Sequence, residues 1–519
     1  MDYLPADFQD RGLFLELFGQ NVYAVGGFIR DHLRGNPTED VDLLILRHQV
    51  DEITAKLKPH GRVDLVGKSF GVIKFTRKGK TYDIALPRLD KPEDSKKRTH
   101  KDFKIITDPN LSLEQDLARR DFRCNSIALR LTDGRLIDPF RGQEDIKNKI
   151  LRMTNPQAFP EDPLRVLRAA RFAAILKFSI DPSIYELAQK IDLSGLSQER
   201  INDELFRILF NSDEPSRGLA EFFKLGVLKQ LFPELYELTL SIQDAIFHPE
   251  TDEFGHHTVW PHTLITIDQA HRLAKKNNLP PAKTLCLLLA ALFHDVGKPA
   301  TVTWEYKNGR MVITNKGHDI LSEKITTQVF NRMKLFSWNG VDVRKITLNL
   351  IRCHHRPSEL WQNREVITRK ALNRLAADVD GEIDLLIFLD VADRSGRSPQ
   401  PIEELDQEGQ WLKQKFAELN VSQETIKPLI LGRHLLSLGV SPGPKMGKIL
   451  NKLYEFQLDN EFQTLEEGLK IAQKIIAQER EKQSFSKASR PSKPSPPKKK
   501  TSGRKDKDQP TNSKKRGKK

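Results

Sequence analysis

The chain has 519 residues, of which 38% are hydrophobic and 30% charged, and its formal net charge is +14. It is too long for one ordinary domain, and it holds no apolar run long enough to cross a bilayer and no basic leader at its start, which argues against membrane and secreted classes and for a soluble, cytoplasmic protein. Cys124, Cys286 and Cys353 are scattered thiols without Cys-x-x-Cys spacing, so neither a zinc finger nor a disulfide frame is expected.

In chain order, Val22, Ala24 and Val25 read as a short buried strand, and Gly26-Gly27 as a turn that lets backbone approach a ligand closely. Phe28 to Arg34 then opens a helix whose N-terminus attracts phosphate. Asp40 and Asp42 fall at i and i+2 of a second strand running to Leu46, so both carboxylates face one way. Two carboxylates on one face repel each other unless cations lie between them, and two Mg²⁺ ions clamping an attacking and a leaving oxygen supply that need. A glycine turn followed by such a pair is the layout of a nucleotide-transfer site.

The string Gly26-Gly27-x-x-Arg30-Asp31 followed by Asp40-x-Asp42 resembles the class II nucleotidyltransferases, the family of tRNA CCA-adding enzymes and bacterial poly(A) polymerases. The resemblance implies that Asp40 and Asp42 hold the metals and that Gly26, Gly27, Arg30 and Asp31 wall the triphosphate. Phe70 to Phe75 and Lys80 to Ala85 read as a hairpin turned at Lys78-Gly79-Lys80, and Asp83 on its return strand matches the acidic position beside the metal pair. Residues 87–104 form a basic loop with Arg88, Lys91, Lys96, Lys97, Arg98 and Lys101, and the family's mobile loop in this region favours full CCA addition.

Further blocks extend the resemblance. Asp116-Leu-Ala-Arg119-Arg120-Asp121-Phe122-Arg-Cys-Asn125 is similar to the block that links head to neck, with Arg119 or Arg120 neutralising triphosphate charge and Asn125 offering both a donor and an acceptor. Arg123 departs from the small hydroxyl residue common at that place. Glu161-Asp162-Pro163-Leu-Arg165 is similar to the protein template on which Asp162 and Arg165 hydrogen-bond the incoming base, with Arg168 near the nucleotide and Arg171 a further candidate. Glu199-Arg200-Ile-Asn-Asp-Glu204 matches the last block, a structural brace at a helix start.

The middle of the chain concentrates histidines in the order His262, His294-Asp295, His318, His354-His355, then Asp393. Adjacent His294 and Asp295 end an apolar helix and can share one divalent ion, while His262 and Asp393 arrive from other helices. This order resembles the HD phosphohydrolase superfamily, with His318 and His354-His355 similar to the extra ligands of its two-metal members. Asp390 competes with Asp393, and His256 and His257 with His262; the surrounding residues favour Asp393 and His262. The metal expected is Mn²⁺, Ni²⁺ or Fe²⁺, and the chemistry hydrolysis of a phosphomonoester or a 2′,3′-cyclic phosphate.

Residues 481–519 hold fifteen Lys/Arg against three Asp/Glu, so twelve of the fourteen net charges lie in the tail. With Phe485 and Ala488 as its only apolar residues, the tail should be disordered and should touch RNA backbone nonspecifically. The fold expected is α+β: a small mixed-sheet nucleotidyltransferase head (1–148), an all-helical neck and body (149–235), a helical HD domain (236–400), a C-terminal helical region (401–480) and the basic tail (481–519). The function expected is addition of C and A to the tRNA 3′ end from CTP and ATP. The alternatives are a poly(A) polymerase or an A-only or CC-only enzyme and, in other classes, an HD phosphohydrolase with an RNA-binding head or a noncatalytic RNA scaffold.

Overall fold

Among the described residues of the first 137, nine short strands alternate with helices: β1 (Val22–Val25), β2 (Val41–Ile45), β3 (Arg62–Val66), β4 (Val72–Arg77), β5 (Lys80–Ala85), β6 (Arg88–Pro92), β7 (Phe103–Thr107), β8 (Ala128–Arg130) and β9 (Leu136–Ile137). The computed structural model describes residues 8–36, 38, 40–66, 72–92, 103–397, 406–418 and 427–488. They belong to two compact units, Met1–Ile426 and Lys427–Lys519.

Seven strands form one mixed sheet in the order β3-β4-β5-β2-β1-β8-β9, and β6 pairs separately with β7. β4 and β5 are joined by a two-residue turn in which Lys78 (φ 46°) and Gly79 (φ 80°) both adopt positive φ, the hairpin geometry that matches strand twist. Residues 93–102, which carry part of the basic loop read from the sequence, lie outside the described residues.

Strand alternation sorts the two faces of the sheet. Leu43 and Ile45 of β2 and Tyr82 and Ile84 of β5 pack with Phe14, Phe28, Ile53 and Phe75 in one buried core. Leu44 points the other way, against Val25, Leu117 and Ala128, and by the same parity so do Asp42 and Asp83. β2 and β5 run parallel with Asp42 directly opposite Asp83, so the two carboxylates are neighbours across the strands. The helix Gly27–Leu33 follows β1 through the glycine turn and sends Phe28 and Ile29 into the first of these cores.

The rest of the first unit is mostly helical. The helix Leu164–Leu176 buries eleven of its thirteen residues, Arg165 and Arg171 among them. The helix Gln198–Asn211 packs on it, starting at Ser197, whose hydroxyl accepts from the Arg200 amide. Farther on, the apolar helix Pro281–Phe293 packs between Val259–Lys276 and Val343–Cys353 and also meets Ile383–Ser395. A hairpin of β12 (Thr303–Lys307) and β13 (Arg310–Thr314) precedes the helix His318–Met333; β10 (Ile150–Leu151) and β11 (Ser179–Ile180) form a two-stranded piece in the neck. This is the mixed α+β architecture expected from the sequence.

In the second unit, the helices Gly432–Ser437, Pro444–Leu458 and Leu465–Ala488 close over Ile430, Leu435, Leu453, Phe462 and Ile475. The last helix takes in residues 481–488, at the start of the stretch that composition assigns to the tail; Glu, Lys and Gln there are good helix formers and the first proline is Pro491. Residues 489–519 lie outside the described residues. No described helix is long and apolar enough to cross a membrane. All three cysteines are buried free thiols.

Candidate functional sites

The glycine turn and two of the three carboxylates share a cavity of about 640 Å³ between head and neck, lined by Gly26, Gly27, Asp42 and Asp83 together with Arg120, Asp162, Arg165 and Arg168. Gly26 has φ 71°, and a Cβ there would stand 2.9 Å from Arg120 Nη1 and 3.3 Å from Asp42 Oδ2. Only glycine fits such an approach of guanidinium and carboxylate to the turn. Asp40 stands exposed, one residue before β2, with its amide donating to Thr38 Oγ1 (3.2 Å). Burial, then repulsion from Asp83 and Asp40, pushes Asp42 up to about 6 against the pull of Arg120 and Arg30. Asp83 Oδ1 is buried without a hydrogen-bond partner, and Lys74 Nζ lies 3.5 Å from it. An all-oxygen set of crowded carboxylates with an unpartnered oxygen fits hard divalent cations.

The other residues singled out from the sequence form a connected polar chain across the cavity wall. Arg30 donates to Asp31 (Nη2, 2.6 Å) and to Asn125 Oδ1 (Nη1, 2.7 Å), and Asn125 Nδ2 donates to Asp121 Oδ1 (2.9 Å). Asp121 Oδ2 accepts from Arg168 Nε (2.7 Å), and Arg171 Nε donates to Glu204 Oε2 (2.6 Å). Arg30, Arg168 and Arg171 also stand 5.1, 5.3 and 4.1 Å from the ring centre of Phe172. Asp31 pairs with Arg30 and Arg34. Arg119 and Arg120 both bond the buried carboxylate of Asp116. Burial works to raise Asp116, but Arg120 and Arg119 outweigh it and hold the group below the usual range.

Burial would likewise raise Asp121, but Arg168 and Asn125 hold it down to about 2. A depressed folded-state pKa is stability present above the unfolded value of 3.8 and lost as pH falls toward 2. Asp121→Asn is therefore expected to lower stability by about 2 kcal/mol at pH 7. Urea denaturation of the two proteins at a series of pH values should show that difference held above pH 4 and shrinking below it.

Two contacts in the template region were not legible in the sequence. Asp162 accepts from Arg200 Nη2 at 3.1 and 2.9 Å through its two oxygens, so the last motif block reaches into the cavity instead of only bracing a helix start. Arg165 is anchored to two carbonyls, Ala158 O and Arg119 O, both at 2.6 Å. The spacing Glu199-Arg200-x-x-x-Glu204 carried the signal, but the partners lie 38 and 33 residues away in Asp162 and Arg171.

The second site gathers the histidines. His262 Nε2 lies 2.8 Å from Asp393 Oδ1, His294 Nε2 lies 3.1 Å from Asp295 Oδ2, and His318 Nε2 lies 3.2 Å from Asp295 Oδ1. His355 Nε2 is 3.0 Å from His318 Nε2. Two groups can each hold an ion, His262-His294-Asp393 and His318-His354-His355, with ligand atoms within 4.8 Å of one another; Asp295 offers one oxygen toward each. His354 Nε2 is buried and makes no hydrogen bond, as expected of a nitrogen whose partner is a metal, while His294 Nε2 faces the carboxylates of Asp295 and, at 3.6 Å, Asp393. Burial, then repulsion from His355, His294 and His318, holds His354 neutral, the ligating form. Lys298, buried, pairs with Asp295 Oδ2 at 2.7 Å.

Asp390 faces Arg394 (2.8 Å) and Ser358 (3.0 Å) rather than the histidines. His256 is exposed beside Asp252, and His257 Nδ1 contacts the carbonyls of His248 and Glu250. A third close group, His248-Glu250-His262, has no counterpart in the sequence reading.

Comparison with known proteins agrees with this layout. A family model described as the poly A polymerase head domain matches residues 22–152, the probable RNA and SrmB-binding site of polymerase A matches 177–238, and the HD domain matches 259–396. The A-adding tRNA nucleotidyltransferase of Deinococcus radiodurans is 32% identical over 375 residues, 70% of this chain and 79% of that protein. The multifunctional CCA protein of Actinobacillus pleuropneumoniae serotype 5b is 32% identical over 361 residues, 68% of this chain and 80% of its own length. The fold is similar to that of the Bacillus stearothermophilus CCA-adding enzyme in complex with CTP, with a TM-score of 0.55 and 21% identity over 93% of this chain and 100% of that one. On these similarities the chain belongs to the family of tRNA nucleotidyltransferases built on the poly A polymerase head, and it is an RNA nucleotidyltransferase.

Proposed function

We propose that this enzyme adds C and A to the 3′ end of tRNA from CTP and ATP, without a nucleic-acid template, in the cytoplasm. The observation that carries the reading is that Asp42 and Asp83 in register, the Gly26-Gly27 turn and the Asp162-Arg165 pair share one cavity. Asp40, Asp42 and Asp83 would hold Mg²⁺, which when bound supplies charge neutralisation and activation at the reacting oxygens. Gly26 and Gly27 let the triphosphate approach the backbone, and Arg120 brings its guanidinium to the same turn. The terminal 3′-hydroxyl attacks the α-phosphate and pyrophosphate leaves, with Asp83, whose Oδ1 lies 3.5 Å from Lys74 Nζ, taking up the hydroxyl proton. Asp162 and Arg165 read the base edge, with Arg200 holding Asp162 and two carbonyls holding Arg165.

The test is a tRNA transcript lacking its last three nucleotides. CTP alone should add two nucleotides, CTP with ATP three, and ATP alone none. Addition of A only to a transcript already ending in CC would favour the second reading, which the A-adding relative in Deinococcus radiodurans motivates.

The histidine centre is proposed to hydrolyse a phosphomonoester or a 2′,3′-cyclic phosphate. His262, His294, Asp295, His318, His354, His355 and Asp393 would hold Mn²⁺, Ni²⁺ or Fe²⁺, which when bound supplies Lewis-acid polarisation and a water nucleophile at neutral pH. Lys298 keeps Asp295 ionised and oriented. His294→Ala is expected to remove bound metal, measured by elemental analysis, and to lower hydrolysis by at least ~10²-fold, with nucleotide addition within about twofold of wild type because the sites are separate. Equal hydrolysis of both esters by the variant and the wild type would refute this assignment.

A further inference from the structure

A histidine that ligates through Nε2 must place its Nδ1 proton elsewhere, and that second bond fixes both tautomer and ring orientation. His294, His318 and His354 do this with backbone: their Nδ1 atoms lie 2.9, 2.6 and 2.6 Å from the carbonyls of Ala291, Asn315 and Ile351, each three residues earlier. His294 and His354 sit at helix C-caps, where carbonyls lack helical partners. His262 lies within its helix, and that solution is closed to it. The carbonyl of Val259, three residues earlier, accepts from Thr263 Oγ1, and that of Thr258, four earlier, accepts from Gln243 Nε2.

A carboxylate stands within reach of that nitrogen, which is buried and makes no hydrogen bond at the present separation. Glu250 Oε1 lies 3.3 Å from His262 Nδ1, while His262 Nε2 faces Asp393 on the opposite side of the ring. The Glu250 side chain is only 6% exposed, and Gln243 Nε2 (3.0 Å) and His248 Nδ1 (2.9 Å) hold the same oxygen. The segment that delivers it is tied at its base, where the Gln243 amide donates to His257 O (2.9 Å) and the Val259 amide to Ser241 O (2.9 Å).

We propose that Glu250 is the positioning residue for His262, accepting its Nδ1 proton so that Nε2 is presented to the ion, with Gln243 and His248 fixing the carboxylate. The inference rests on reading the histidine cluster as a metal centre. It assigns Glu250 and His248 to orientation and not to a separate ion site of their own.

Full-length protein stripped with chelator is titrated with Co²⁺ and followed by calorimetry and visible absorption. Glu250→Gln should weaken Co²⁺ binding ~10–100-fold and change its spectrum at unchanged stoichiometry. Glu250→Asp, which keeps the charge, should recover part of the affinity, and both variants should add nucleotides to tRNA as wild type does. Glu250→Gln binding with wild-type affinity and spectrum would overturn the proposal, as would loss of one whole equivalent of ion with the rest unaffected, which would make Glu250 a ligand. If wild type binds no Co²⁺, or binds it equally well as His294→Ala, the metal-centre reading itself fails, and the inference falls with it.

Discussion

Asp42→Asn is expected to lower addition of both nucleotides by at least ~10³-fold, measured as single-turnover extension of tRNA, without weakening the fold. The side chain sits on the polar face of the sheet, in register with Asp83 and 3.3 Å from where a Gly26 Cβ would stand. Its amide replacement keeps the shape and removes the charge that binds the cations. The sign of the stability effect is opposite to that of an ordinary loss of contact. Burial and its acidic neighbours raise Asp42 to about 6, so in metal-free protein ionisation is resisted by the fold, and stability falls as pH rises from about 4 through 6. Asn has no such penalty. Metal-free Asp42→Asn should therefore melt no lower than wild type at pH 7 and lose its advantage below pH 4, whereas wild type should gain stability from added Mg²⁺ and the variant should gain less.

The second large effect concerns base choice. Asp162→Ala and Arg165→Ala are each expected to reduce discrimination against UTP and GTP by ~10²-fold or more, because polar groups that read a base reject the analogue that leaves them unpaired. The two should differ in kind. Arg165 also bonds the carbonyls of Ala158 and Arg119, so its removal loosens the approach to the triphosphate and should lower the rate with every nucleotide. The Asp162 carboxylate is held by Arg200 and the Leu164 amide, and its loss should fall more on selectivity than on rate. Competition between the four nucleotides, read as kcat/KM ratios, separates the two outcomes.

The head was legible because its chemistry is local in sequence. A glycine turn, a short connection and an alternating strand place Gly26, Gly27, Arg30 and Asp42 by themselves, and the Lys78-Gly79 turn places Asp83. The step that brings Asp83 beside Asp42 is a parallel pairing of β2 with β5 across some forty residues, and periodicity carries no information on it. The charge partners were hidden for the same reason: Arg168 reads as one of a stripe of arginines, yet it ends on Asp121, 47 residues back. The histidine cluster was legible as an order of ligand types, since each sits at or near a helix end where a motif can be seen. Glu250 was not, because it lies in an irregular segment before the first ligand helix, where neither period nor motif marks it. Asp390 and Asp393 are one turn apart on one helix, too close for sequence to separate, and the structure shows Asp390 paired with Arg394.

The most direct test of the account is to give purified protein and Mg²⁺ a tRNA transcript without its last three nucleotides, with all four nucleoside triphosphates at equal concentration, and to sequence the 3′ ends of the products. The account predicts that CCA is added and that extension then stops. A single A, a run of A, or ends of mixed sequence would contradict it.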